Sequence, residues 1–200
     1  SAGSNGDLYI NSSTDGTVGG NLSVTATTGN ITDTVALAIS GTSSFTTSAT
    51  NGTIVLNTPA ALSGAVTLNT TGASGNATID NGTTALNIAA STIGGNLTVT
   101  SGAAAGITDS GTVTVAGNLV ATTDDNNGVI DLGQMAVDGT VALTTNGNGA
   151  ATIVNDAGLS FVASTVGGAL SATATTGDIT DSGNLAITGA ATFITGVAGS

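Results

Sequence analysis

The chain of 200 residues has no lysine, arginine, histidine, glutamate, cysteine or tryptophan. Each absence excludes something. Without cations, nothing can neutralise phosphates, so nucleic acid is excluded as a partner, and so is an anionic lipid surface. Without a histidine or lysine base, no nucleophilic triad can be assembled. Enzymes that act on acidic sugars also need basic side chains to hold or deprotonate the substrate. Without cysteine, no disulfide can form, and the redox compartment cannot be read. No apolar run approaches the length that a membrane helix needs. Three Phe and one Tyr cannot supply the aromatic girdles of a membrane barrel, so no membrane insertion is expected. All charge is aspartate, 12 residues giving a formal net charge of −12. Charged residues make up 6% of the chain, against about 25% in an ordinary domain.

What is present is a repeat. Gly20, Gly41, Gly64, Gly95, Gly117, Gly139, Gly168 and Gly189 each open a similar stretch. The second and fourth residues after each glycine are mostly apolar: Leu22/Val24, Ser43/Phe45, Val66/Leu68, Leu97/Val99, Leu119/Ala121, Val141/Leu143, Leu170/Ala172 and Ala191/Phe193. A spacing of two belongs to a strand with one buried face. A second apolar site in each interval is an isoleucine: Ile31, Ile54, Ile79, Ile107, Ile130, Ile153 or Ile179. A third apolar site follows it: Leu37/Ile39, Leu62, Leu86/Ile88, Val113/Val115, Met135/Val137, Leu159/Phe161 or Leu185/Ile187. Gly, Asn, Asp, Thr and Ser corners separate the three.

One coil of three short strands buries its inward residues only by stacking on its neighbours. The expectation is therefore all-β: a parallel β-helix (β-solenoid) with three short strands per coil, about seven full coils and no end caps. Residues 1–200 read as a single β-solenoid segment, an excerpt of a longer repeat array. The 40% hydrophobic content, held in register, argues against disorder, which goes with few β-branched residues.

The intervals between the glycines are nearly equal except for two, Gly64 to Gly95 and Gly139 to Gly168, which are clearly longer. The long ones recur every third turn. Ser91–Leu97 returns as Ser164–Leu170, one such three-turn period later. The surplus residues of the long coils are expected to bulge out as a loop at one edge. Leu8-Tyr9-Ile10 is expected to be the third strand of an earlier, incomplete coil.

Three groups of side chains are candidates for a site. Asp124 and Asp125 are the only adjacent carboxylates and could in principle act on a glycoside; their Asn- and Gly-rich setting reads as a solvated turn. Asp80, Asp109 and Asp131 follow the isoleucines of three successive coils. Stacking would bring them to about 5–10 Å of one another, and oxygen-only ligands suit calcium. Calcium, with Asp124 and Asp125 as further ligands, is the one cofactor that composition leaves open. An Asx turn explains a corner aspartate equally well. The third candidate is the outward face of the glycine-led strand: Ser23, Thr25, Thr46, Thr98, Thr100, Thr122, Thr144, Ser171 and Thr173. Such an array resembles the ice-contacting face of β-solenoid antifreeze proteins; threonine also favours exposed strand positions in general. No catalytic or cofactor-binding residue is assigned, and the chain is read as non-enzymatic.

Units such as Gly95-Asn96-Leu97-Thr98-Val99-Thr100, followed by Gly106-Ile107-Thr108-Asp109-Ser110-Gly111, resemble the repeats of filamentous haemagglutinin-type exoproteins and other giant bacterial surface proteins. The resemblance covers nearly the whole chain. It implies a right-handed β-helix, export to the bacterial cell surface or medium, and a stalk role in adhesion or a surface layer. The chain departs from that pattern in having no basic residue and no recognisable binding tip. The partners expected on this basis are neighbouring repeats of the same chain, side-by-side copies and host or cell-surface glycans. The alternative function is a binding module for ice or carbohydrate on the threonine face.

Overall fold

Strand segments with apolar residues two apart, broken every few residues by turn formers, have one way to bury their inward sides: coiling and stacking. The computed structural model describes residues 6–10 and 16–196, and it is a parallel β-solenoid of about nine turns with three strands per coil. Every ladder is parallel. Leu8–Ile10, Ile31–Asp33, Ile54–Leu56 and Ala77–Asp80 stack in the first. Gly16–Val18, Leu37–Ile39 and Ala61–Leu62 form the second. Leu22–Ala26, Ser43–Thr50 and Val66–Thr71 form the third.

Alternation decides the core. Leu97, Val99 and Ser101 point inward while Thr98 and Thr100 point outward, and the other strands follow suit. The isoleucines from Ile31 to Ile153, the third-site residues from Leu37 to Phe161, and Phe45 and Phe161 are buried in one continuous cluster. Burying each such side chain stabilises the fold by roughly 1.5–3 kcal/mol. At about 4.8 Å per coil, about nine turns make a rod roughly 40 Å long.

Two expectations are corrected by the ladders. Leu8–Ile10 pairs with Ile31–Asp33. It is therefore an isoleucine-site strand, and Gly16–Val18 supplies the third strand of that coil. The long intervals also do not bulge. Leu8 pairs with Ile31, Ile31 with Ile54, Ile54 with Ala77 and Ala77 with Leu97. Leu97 then pairs with Leu119, and Leu119 with Val141. These steps are nearly equal, so the turn length holds through the Gly64–Gly95 interval. It holds because the surplus forms an additional strand, Ser91–Ile93. Both Leu86–Ile88 and Ser91–Ile93 stack on the long strand Val66–Thr71, through Ile88 on Val66 and Thr92 on Asn69.

The glycine-led strand that follows is thereby displaced by one side of the coil. Leu97–Ser101 lies on the isoleucine strand Ala77–Asp80, with Leu97 on Ala77 and Val99 on Ile79. The Gly139–Gly168 interval repeats the manoeuvre: Ser164–Val166 is the extra strand, and Leu170–Ala174 lies on Ala151–Asn155. Counting glycines therefore gives about seven coils where stacking gives about nine.

Candidate functional site

The displaced frame separates residues that the linear repeat places together. Asp80 pairs with Thr100, Asp109 with Ile88, and Asp131 with Thr108. The column of stacked carboxylates expected for Asp80, Asp109 and Asp131 is thus split. Asp80 shares an open surface depression with Asp124 and Asp125, alongside Pro59, Gly82, Thr83 and Gly102. Asp109 and Asp131 lie together elsewhere, close enough for the charge of Asp131 to act on Asp109. Asp80 accepts a hydrogen bond from the Gly82 N–H, 2.9 Å away, as an Asx turn requires. Among the described residues, no group of three or more acidic side chains is arranged to hold a metal ion.

Among the described residues, two carboxyls are perturbed. Burial pushes the Asp33 carboxyl above the usual range, the N–H groups of Asn57 and Thr58 pull it back in part, and the charge of Asp80 adds to the rise. Burial likewise lifts Asp109, opposed by the N–H groups of Gly133 and Gln134 and reinforced by Asp131. Both carboxylates tie one coil to the next by accepting backbone N–H groups about one turn further on.

The threonine array is divided as well. Ser23, Ser44 and Thr67 stack in one ladder, with Thr25, Thr46 and Asn69 beside them. Thr98 and Thr100 stack instead on Thr78 and Asp80, and Ser171 and Thr173 on Thr152 and Val154. The expected single first-strand face is therefore three short faces, the middle one in a different sheet from the other two. Other threonines extend the columns across the junctions. Thr100, Thr122, Thr144 and Thr165 form one outward row. Thr46, Asn69, Thr92 and Thr114 form another.

Apolar periodicity does not mark the residues that make the displacement possible. They are inward-facing polar side chains. Where the second ladder ends at Leu62, the buried Asn81 takes the place of a neighbouring strand. Its Oδ1 accepts the Leu62 N–H at 2.8 Å, and its Nδ2 donates to the Leu62 carbonyl at 3.2 Å. The amide thus stands in for a peptide unit. Asn155 does the same for Val137, at 2.8 and 3.1 Å. Ser91 Oγ accepts the Leu68 N–H and donates to the Ala89 carbonyl. Ser164 repeats this between Leu143 and Val162. Thr70 Oγ1 donates to the Gly75 carbonyl and accepts the Gly94 N–H. Thr145 serves Gly149 and Gly167 in the same way.

A buried backbone group left unpaired costs about 1–3 kcal/mol, so each junction needs such a set. Its trace in the sequence is recurrence: Thr70 returns as Thr145, Asn81 as Asn155 and Ser91 as Ser164, all at nearly the same offset. A reading restricted to apolar periodicity does not see it.

On the surface, asparagine side chains continue the same bonding. Asn76 accepts the Asn96 N–H, Asn96 the Asn118 N–H, and Asn118 the Thr140 N–H, each at 2.8 Å. The arrangement offers axial cross-links at corner after corner, and Asp33, Asp109 and Asp80 are themselves engaged with backbone N–H groups.

Compared with known proteins, the chain matches one family model, described as repeats of unknown function (DUF5649), over residues 4–72, 74–124 and 148–199. No curated protein and no solved structure matches it.

Proposed function

We propose, from the premise that the chain belongs to the DUF5649 repeats, that it is a non-catalytic structural segment of a bacterial surface filament or adhesin stalk of the haemagglutinin type, exported to the cell surface or medium. The observation that supports this reading most is the direction of its bonding. Parallel ladders run from Leu8 to Ile187 through successive coils. Asparagine, aspartate and threonine side chains add bonds in the same axial direction at corners and junctions. Axial load is shared over many hydrogen bonds in each coil. The polar surface carries no lysine or arginine, so a trypsin-like protease finds no cleavage site.

The test uses cells of the source bacterium. Antibodies raised against the chain should label intact cells, and the label should lie along filaments in electron micrographs. Labelling only after lysis would overturn the reading.

A second reading, a module binding ice or carbohydrate, draws on the outward row Thr100, Thr122, Thr144 and Thr165. It requires thermal hysteresis or glycan retention that Thr122→Tyr diminishes. Neither effect at high protein concentration would remove it.

A further inference from the structure

An asparagine followed by glycine can modify itself. The glycine nitrogen attacks the side-chain amide carbon, and no Cβ on the glycine hinders the approach. Asn51-Gly52, Asn81-Gly82, Asn127-Gly128, Asn146-Gly147 and Asn148-Gly149 lie within the described residues. The fold treats them differently. Asn81 is fully buried, its Nδ2 donates to the Leu62, Thr84 and Ala85 carbonyls, and the Gly82 N–H is taken by Asp80. Asn51 and Asn127 stand at left-handed corners, with φ of 63° and 68°. Each Oδ1 holds a backbone N–H of the next coil, that of Ser74 at 3.0 Å and that of Asn148 at 2.8 Å. The N–H groups of Gly52 and Gly128 donate to the Ala49 and Asp125 carbonyls. The Gly149 N–H donates to the Asn146 carbonyl at 3.0 Å, away from the side chain of Asn148.

Asn146-Gly147 is built otherwise. Asn146 is exposed, and the Gly147 N–H donates to the Oδ1 of Asn146 itself, at 2.8 Å. The nitrogen already rests against the amide, beside the carbon it attacks. Positioning of this kind is what speeds an intramolecular reaction. We infer that Asn146 is a site of spontaneous deamidation. The Gly147 nitrogen bonds to Cγ and gives up its proton to solvent base. The Cγ–Nδ2 bond breaks, and Nδ2 takes a proton from water and leaves as ammonia. Water then opens the cyclic imide at either carbonyl, giving aspartate or isoaspartate. Water is the co-reactant, and nothing is oxidised or reduced.

The chain holds a counterpart that cannot react. Thr70 and Thr145 occupy equivalent places in the two junctions, and they are followed by Thr71-Gly72 and Asn146-Gly147. Both glycines are left-handed, with φ of +84° and +61°. Thr71 has no amide to lose, and its Oγ1 donates to the Ala49 carbonyl. Of the two junctions, the upper one therefore ages. There the Asn146 carbonyl accepts the N–H groups of Asn127 and Gly149. Isoaspartate routes the main chain through the side-chain carbons and pulls that carbonyl out of register. The new carboxylate also joins a chain that has no cation to balance it. The inference rests on this corner and not on the stalk reading.

Purified chain held in warm, mildly alkaline buffer tests it, with samples digested by pepsin and read by mass spectrometry over time. Conversion at Asn146 should run at least about tenfold faster than at Asn51, Asn81, Asn127 or Asn148. In concentrated guanidinium, where the corner is lost, the rates should converge. Hydroxylamine, which cleaves the imide, should cut the folded chain between Asn146 and Gly147. Asn146→Thr copies the lower junction and should abolish the fast conversion. Thr71→Asn should create a second fast site, before Gly72. Circular dichroism should show both variants folded. Hydrogen exchange at Asn127 and Gly149 should quicken as the parent chain ages and hold steady in Asn146→Thr. An Asn146 that converts no faster than Asn51 and Asn127 in the folded chain, or a Thr71→Asn variant that stays inert there, would overturn the inference.

Discussion

At the scale of single residues, the interior holds a polar atom with nothing to bond. Ser43 is 2% exposed, between Leu22 and Val66 in the stack, and its Oγ has no hydrogen-bond partner. Ser43→Val removes that desolvated hydroxyl and adds apolar bulk, so it should stabilise the chain by about 1 kcal/mol. A shift of the denaturant midpoint at unchanged slope is the measurement. Asn81 and Asn155 behave in the opposite way. Replacing either with Leu leaves a buried N–H and carbonyl, of Leu62 or of Val137, without partners. The expected loss is about 2–4 kcal/mol, and wild-type-like stability in both variants would show that the amides are dispensable. Glycines divide just as sharply. Gly106 has a φ of +64°, and a Cβ there would strike the Val129 carbonyl of the next coil. Gly133 has open space around its missing Cβ. Gly106→Ala should lower the melting temperature by several degrees, while Gly133→Ala should leave it nearly unchanged.

At the scale of the element, the additional strands Ser91–Ile93 and Ser164–Val166 are what a glycine count cannot see. Each lets the coil keep its length while the glycine-led strand changes sides. Threonine and serine make the junction workable because one hydroxyl both donates and accepts. Ser91 and Thr70 each satisfy two backbone groups at the place where one ladder gives way to two. Deleting the strand together with its corner should therefore give not a shorter loop but a mispaired upper half. Hydrogen exchange of Leu97–Ser101 and the strands above it should accelerate, while Ile31 and Ile54 stay protected.

At the scale of the whole molecule, charge has one sign only. No ion pair can form between side chains, so acid has no side-chain salt bridge to break. Asp33 and Asp109 carry carboxyls raised above the usual range by burial. A raised carboxyl binds its proton more tightly in the folded chain than in the unfolded one. Its stabilisation is complete below the unfolded value of about 3.9 and is lost as pH rises through the folded value. Relief of mutual repulsion among the 12 aspartates acts in the same direction. The melting temperature should rise as pH falls from neutral towards the unfolded carboxyl value. Asp33→Asn should raise it at neutral pH and flatten the profile. A melting temperature that falls on acidification would contradict both statements. Salt at neutral pH should also stabilise, calcium no more than sodium at matched ionic strength, because the carboxylates among the described residues do not gather into a cage.

The parallel solenoid, its three strands per coil and the apolar inward-facing residues of the repeated strands were legible in the order of amino acids. They follow from local geometry: alternate side chains of a strand lie on opposite faces, so Leu97, Val99, Ile107 and Val113 are inward whatever lies above them. Which strand lies on which was not legible there, and neither was the fate of the candidate sites. A ladder partner is about one turn away in sequence, and the length of that turn is set by the requirement that every coil match the one beneath. With the turn held nearly constant, the long Gly64–Gly95 interval had to displace the frame, splitting Asp80 from Asp109 and Thr25 from Thr100. The repeat marks residues that are chemically alike, and the stacking of backbone hydrogen bonds determines which of them meet.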